Sequence, residues 1–162
     1  MKAVTISDEM LLSARKKAEE MGKLNNSITN GIGNLVGFIG EEVALAVLSQ
    51  QGCDAKAANT YDFDIIANGF TIDVKTKSTS VEPLPHYSCS VASFNTKQQC
   101  DYYAFVRVKK DLTIAWWCGV YSKNDFYRDS VFMKKGDIDT DNKYVVRADC
   151  HNLPISSLKE TL

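Results

Sequence analysis

The stretch Tyr61-Asp62-Phe63-Asp64-Ile65-Ile66-Ala67-Asn68-Gly69-Phe70-Thr71-Ile72-Asp73-Val74-Lys75-Thr76-Lys77 decides how the rest of the chain is read. Asn68-Gly69 at its centre is the strongest short signal for a two-residue hairpin turn. With those two residues as the loop, Ala67 faces Phe70, Ile66 faces Thr71 and Ile65 faces Ile72. Continued outward, the pairing sets Asp64 against Asp73, Phe63 against Val74 and Asp62 against Lys75. Side chains alternate faces along a strand. One face then carries Phe63, Ile65, Phe70, Ile72 and Val74 and is apolar. The other carries Asp62, Asp64, Asp73 and Lys75, with Ile66 and Thr71 nearest the turn.

The acidic face is costly as structure alone. Directly opposed residues have Cβ atoms about 5 Å apart, and like charges there are destabilising. Asp64 and Asp73 repel unless one stays protonated or a cation sits between them. A hard divalent cation with oxygen ligands answers that problem. Lys75 lies two residues beyond Asp73 on the same face, beside such an ion.

Asp64 followed by Asp73-Val74-Lys75 resembles the motif of the PD-(D/E)XK nucleases, the restriction-endonuclease-like superfamily. Asp64 matches the first acid, and Asp73 and Lys75 match the second half. Phe63 stands where the motif's name has proline. The hairpin pairing strengthens the resemblance, because it brings the motif's members to one face.

A helix is expected from about Asn34 to Gln51, with Val36, Ile39, Val43, Ala46 and Val47 on one apolar side. Ala44, Leu45 and Leu48 continue that side, so little of the helix can be exposed. Glu41 falls among Ala44, Leu45 and Leu48, whereas Glu42 falls nearer Ser49. A carboxylate among apolar neighbours needs a partner. Gly37-Phe38-Ile39-Gly40-Glu41 also resembles the Gly-x-x-Gly-Glu start of the first core helix in many PD-(D/E)XK nucleases. The resemblance implies that Glu41 reaches the metal site. Gly37 and Gly40 are expected to let the helix approach the hairpin closely.

Composition sets wider bounds. The 162 residues suffice for one domain with a proper core, and the whole chain reads as one. No apolar run nears the roughly 20 residues of a membrane helix. The N-terminus shows no apolar signal core, so a cytoplasmic location is expected. Five cysteines without a Cys-x-x-Cys pair suggest free thiols in a reducing compartment. Cys150-His151 lacks the further ligands that zinc needs. A net charge of −1 does not advertise a nucleic-acid binder, although residues 65–162 hold 13 basic and 11 acidic side chains.

The remaining elements follow from local signals. Ser7-Asp8-Glu9 opens a helix to about Met21, ended by Gly22. Its Arg15, Lys16 and Lys17 read as a solvated surface. The Asn- and Ser-rich loop from Leu24 to Gly33 is a weak candidate for phosphate contacts. Cys53–Ala58, His86–Val91, Asp101–Val108, Leu112–Val120, Val131–Met133 and Tyr144–Arg147 read as strands. Short helices are expected from Ser93 or Asn95 through Cys100 and from Ser122 through Arg128, and a terminal one over Leu153–Leu162. Tyr102, Trp116 and Trp117 are either core or a stacking platform for bases. Lys77 alternates onto the site face and, with Gln98 and its neighbour Gln99, is a candidate nucleic-acid contact.

These elements describe an α/β fold in which helices flank a central mixed β-sheet. That matches the restriction-endonuclease-like fold, with residues 41–107 as its core. The resemblance implies a small stand-alone phage- or bacterial-type nuclease that hydrolyses phosphodiester bonds of DNA, read as an endonuclease. Glu41, Asp64 and Asp73, with the backbone carbonyl of Val74, would hold Mg²⁺, for which Mn²⁺ could substitute. Lys75 would orient or deprotonate the attacking water. Two alternatives stay open. One is a junction-type resolvase, expected to act as a homodimer because two cuts need two sites. The other is a catalytically silent member that binds nucleic acid or protein.

Overall fold

In the computed structural model, residues 1–24, 32–58, 60–93, 97–139 and 144–162 are described. Asn68 and Gly69 both adopt positive φ, 50° and 85°, as a primed two-residue turn demands. The turn joins β3 (Ile65–Ala67) to β4 (Phe70–Thr79) in the expected register, with Ile65 opposite Ile72 and Ala67 opposite Phe70. Asn68 also ties the turn to the preceding segment, since its Oδ1 accepts from the Asp54 N–H at 2.9 Å.

The chain before the hairpin comprises β1 (Lys2–Thr5), α1 (Asp8–Leu24), α2 (Ile32–Gln50) and β2 (Ala55–Ala57). After it come β5 (Ser88–Ala92), β6 (Tyr102–Lys109), β7 (Ile114–Ser122) and α3 (Lys123–Asp129). Four short strands follow: β8 (Val131–Met133), β9 (Ile138–Asp139), β10 (Tyr144–Val145) and β11 (Cys150–Pro154). The main sheet has the order β1-β7-β6-β4-β3-β2. Only β4 and β6 run parallel; every other neighbouring pair is antiparallel. A second sheet has the order β5-β11-β8, and β9 pairs with β10. The architecture is mixed α/β, as expected.

The main sheet is buried on both faces. On one, Ile72, Ala104, Val106, Val108 and Trp117 pack with Ile39, Val43, Val47 and Leu48 of α2 and Ala14 of α1. On the other, Tyr103, Phe105 and Cys118 pack with Val91, Leu153 and Ile155 of the second-sheet layer and with Phe126 of α3. Apolar burial at about 25 cal/mol per Å² drives both layers together. Trp117 is buried in the first layer and Trp116 is buried beside it in β7, and the Trp117 indole donates to the Glu160 carbonyl at 3.1 Å. They are core residues and form no platform for bases.

Several local expectations are corrected. Helix α1 does not end at Gly22 but runs on to Leu24. Residues 98–100 are irregular, and Asn95 lies outside the described residues. The expected terminal helix is absent: Cys150–Pro154 is a strand paired on both sides, followed by one 3-10 turn at Ile155–Ser157. Beyond it Lys159 pairs with Val120 of β7 through two backbone hydrogen bonds of 2.8 and 3.0 Å. Sheet partners on both sides outweigh the weak helical preference of a segment containing Pro154, Ser156 and Ser157. Most of the polar loop expected over Leu24–Gly33 lies outside the described residues. Among the described residues no helix is long and apolar enough to cross a membrane.

Gly40 sets the distance between α2 and β4. A Cβ built on Gly40 would stand 1.8 Å from Thr76 Oγ1 and 2.8 Å from Thr76 Cβ. Gly37 has no such contact, so only one of the two helix glycines is needed for close approach. Gly40→Ala should therefore destabilise the protein by about 1–3 kcal/mol through overpacking. Gly37→Ala should be neutral, or stabilise by up to about 1 kcal/mol through helix propensity. Urea unfolding of the two variants checks this; equal effects would show that the helix does not rest on Thr76.

Candidate active site

The β3–β4 ladder stops at Ile65, and the site begins where it stops. The Asp64 N–H donates to the Ile72 carbonyl at 2.9 Å, one residue out of the hairpin register. Its carboxylate then takes the place of a strand: Asp64 Oδ2 accepts from the Val74 N–H at 2.7 Å. From Asp73 onward this edge of β4 has no neighbouring strand among the described residues. The expected cross-strand pairings of Asp64 with Asp73, Phe63 with Val74 and Asp62 with Lys75 do not form. Asp62 instead accepts from the Gln99 N–H at 3.2 Å.

The uncovered edge brings three carboxylates from different elements together. Asp73 is 4% exposed, on the face of β4 that looks toward the second sheet. Asp64 lies against it, close enough to share a proton with the Asp73 carboxylate. Glu41 comes from α2, on the opposite face, and reaches near enough to act on both by charge. Burial, outweighing the Val74 hydrogen bond, raises the Asp64 pKa to about 7, and the charges of Glu41 and Asp73 add to the rise. Burial also raises Glu41, against the pull of Lys17.

Two lysines supply the counter-charge. Lys75 Nζ stands 2.6 Å from Asp73 Oδ2 but off the angle of a hydrogen bond, so that buried oxygen has no hydrogen-bond partner. Lys75 donates to Gln98 Oε1 at 2.9 Å, and Gln98 Nε2 donates to the Tyr61 carbonyl at 3.1 Å. Lys123 donates to the Gln98 carbonyl as well. Gln98 is thus a clamp on Lys75. Lys17 of α1 bridges Glu41 at 3.4 Å and Glu42 at 2.9 Å. Burial pulls the Lys17 pKa down, but its bonds and charges with Glu42 and Glu41 leave it raised. Of the basic cluster of α1, Arg15 and Lys16 are exposed as expected, and Lys17 is the member drawn into ion pairs.

Glu41 and Glu42 have different surroundings. Glu42 accepts from Ser13 Oγ at 2.7 Å and holds Lys17, so its oxygens are used in joining α1 to α2. Among the described residues Glu41 has only the longer contact to Lys17, and its charge acts on the aspartates. Sequence reasoning missed Lys17 and Ser13. Their four-residue spacing, one helical turn, was the available signal.

The donor set is all oxygen and suits a hard divalent cation, and Asp73 Oδ2, buried and paired only with the Lys75 ammonium among the described residues, is the oxygen such an ion would take over. Among the described residues, however, no three His, Cys, Asp or Glu groups converge closely enough to hold an ion as they stand. The ammonium groups of Lys75 and Lys17 offset the negative charge instead. Seating an ion requires these two side chains to swing aside, which long flexible stems allow. Val74 of the expected ligand set gives its N–H to Asp64. Lys77 is exposed farther along β4, with its Nζ 5.0 Å from the Tyr144 ring centroid.

The raised Asp64 pKa makes the metal-free protein sensitive to pH. The folded value of about 7 exceeds the ordinary 3.8, so the folded state holds the proton longer than the unfolded chain. Stability should be full below about pH 4, fall as pH rises toward 7 and level off above it. Asp64→Asn keeps an acceptor for the Val74 N–H but carries no charge, and should not show this fall. Urea midpoints of both proteins in EDTA at pH 4.5, 6 and 8 check it; parallel curves would refute the shift. No family model matches the chain, and no curated protein is significantly similar to it, so these residues are read from their geometry alone.

Proposed function

We propose that this chain is a PD-(D/E)XK-type nuclease of restriction-endonuclease-like fold that hydrolyses phosphodiester bonds of DNA with Mg²⁺. One observation carries the reading: Asp64, just before β3, lies against Asp73 at the uncovered edge of β4, with Glu41 of α2 within charge range of both and Lys75 Nζ 2.6 Å from Asp73. Buried like charges are costly, and nothing in the packing of the core calls for them. The α2–hairpin order with a strand parallel to β4 supports the fold assignment.

A divalent cation bound by these carboxylates would polarise the phosphoryl group and lower the pKa of its water. The protein's own part is positional. Asp64 and Asp73 share one end of the hairpin, and Glu41 closes the third side. Lys75, held by Gln98, can orient the attacking water and offset charge that builds on the phosphoryl oxygens. Glu42 and Ser13 fix α2 against α1 and so fix Glu41.

A silent, binding-only member of the same fold is the competing reading. It is favoured by the Lys75–Asp73 ion pair and by the lack of a converged ligand cluster among the described residues. Incubation with labelled linear, circular, single-stranded and branched DNA, in Mg²⁺, Mn²⁺ or EDTA, separates the two. Cleavage in metal alone is expected; DNA binding without cleavage in any condition would sink the nuclease reading.

Variants test the roles. Asp73→Asn should abolish both Mn²⁺ binding and cleavage. Glu41→Gln should slow cleavage at least about a hundredfold, a barrier rise of roughly 2.7 kcal/mol. Glu42→Gln should lower stability, through its lost bonds to Ser13 and Lys17, and leave the rate within a small factor. Lys75→Met should keep the fold and Mn²⁺ affinity and lose nearly all turnover. Near wild-type cutting by Lys75→Met would remove this lysine from the mechanism.

A further inference from the structure

The parallel register of β4 and β6 sets Lys77 beside Arg107, on the face that also carries Asp73 and Lys75. Adjacent strands lie about 4.8 Å apart, so two cations are held side by side there. Like charges so placed are destabilising. Arg107 is 7% exposed, and among the described residues its guanidinium makes one hydrogen bond, from Nη2 to the Ser88 carbonyl at 2.6 Å. A guanidinium has five donors. Among the described residues neither Lys77 nor Arg107 enters an ion pair.

Both line a cavity of about 450 Å³ between the main sheet and the second sheet, with Ser90, Tyr144 and Asn152. Desolvation in that wall, then the Arg107 charge, lowers the Lys77 pKa, although part of its side chain stays open to solvent. Asp139 also faces the cavity and acts on Lys77 only at longer range; its carboxylate accepts from Ser88 Oγ at 3.1 Å. A neighbouring groove of about 780 Å³ is lined by Lys75 and Lys77 together, so Lys77 stands where the two spaces meet. From Lys75 to Lys77 the strand advances about 6.6 Å. Successive phosphates of one nucleic-acid strand follow one another on that scale.

We propose that Lys77 and Arg107 form a phosphate subsite, which holds the phosphate next along the strand from the one at Asp73 and Lys75. The assignment rests on the nuclease reading for its substrate class. Arg107 presents a planar fork that can take two phosphate oxygens, and Lys77 adds a point charge at the mouth. The anion removes the repulsion that the bare pair carries, as a cation would among the carboxylates.

The test is DNA binding by the whole protein in EDTA, where no cleavage interferes. Anisotropy of a labelled single-stranded 12-mer is followed across a salt series. Lys77→Met and Arg107→Gln should each weaken binding at least about fivefold and reduce the slope of log affinity against log salt by about 0.7. Lys110→Met, at the β6–β7 turn, removes the same charge from a residue that lines neither the cavity nor the groove and should change little. Oligonucleotides with and without a terminal phosphate distinguish the source: equal losses indicate an internal phosphodiester, and losses confined to phosphorylated ends indicate a terminal phosphate.

Binding and salt slope equal to those of Lys110→Met in both cavity variants would overturn the subsite, as would a wild-type protein that binds no DNA. Should Arg107→Gln fail to fold, Lys77→Met alone carries the decision, since that side chain is exposed. Wild-type protein that binds through Lys77 yet never cuts would sink the nuclease reading and leave the subsite standing. Cutting with unaffected Lys77→Met binding would do the reverse.

Discussion

The hydrogen bond from the Val74 N–H to the Asp64 carboxylate is the constraint on which the site depends. A β-strand in mid-sheet needs a partner for each backbone donor. At Val74 that partner is a side chain, because β3 ends at Ile65 and the chain turns away. The edge of β4 is satisfied without being covered. A complete hairpin would have kept Glu41 of α2 from the far face of the sheet. The early end of β3 leaves an edge where Glu41 of the helix acts by charge on Asp73 of β4 and on Asp64 just before β3.

Electrostatic tension at this edge is balanced differently on its two sides. On the helix side Lys17 is shared between Glu41 and Glu42, and the shorter contact goes to Glu42. Glu42 and Ser13 thereby act as a joint between helices, leaving Glu41 with weaker compensation. On the strand side Lys75 is placed against Asp73 and held by Gln98, whose own amide is fastened to Tyr61. Each lysine is thus both a counter-charge in the metal-free protein and a group poised beside the proposed reaction. Buried ion pairs of this kind are poor sources of stability, since desolvation consumes much of the Coulombic gain. Their retention is easier to understand as function than as packing.

The second sheet gives the site its far wall. Strands β5 and β11 cover Tyr103 and Phe105 near the sheet's centre, but at Lys77 and Arg107 the layers part and leave the cavity. Apolar residues close one part of the interface and two cations hold open the next. A parallel β4–β6 pair matters here. It aligns Asp73, Lys75 and Lys77 with Tyr103, Phe105 and Arg107 in one direction, so the polar row continues outward from the acids.

The sequence alone determined the hairpin, because Asn68-Gly69 admits few turns and alternation then assigns every face. Ile65 opposite Ile72, the apolar core face and the placing of Asp73 and Lys75 on one face of β4 follow from that local rule, whereas Asp64 reaches Asp73 from outside the predicted register. The different surroundings of Glu41 and Glu42 were also legible, since a helical wheel sets Glu41 among apolar neighbours and Glu42 nearer the polar side. Other features depended on contacts between distant segments, which carry no local mark. The ladder's stop at Ile65 depends on where Asp62 is drawn, toward the Gln99 N–H 37 residues away. Lys17 looked like a surface lysine until α1 was packed on α2. Cys150–Pro154 became a strand because β5 and β8 offered partners on both sides, a preference no window of residues 150–162 contains. Arg107 read as one position of a core strand, and only the parallel pairing with β4 set it beside Lys77. Periodicity and turn chemistry act within a few residues and can be read directly, whereas register between separate elements is settled by the packing of the whole chain.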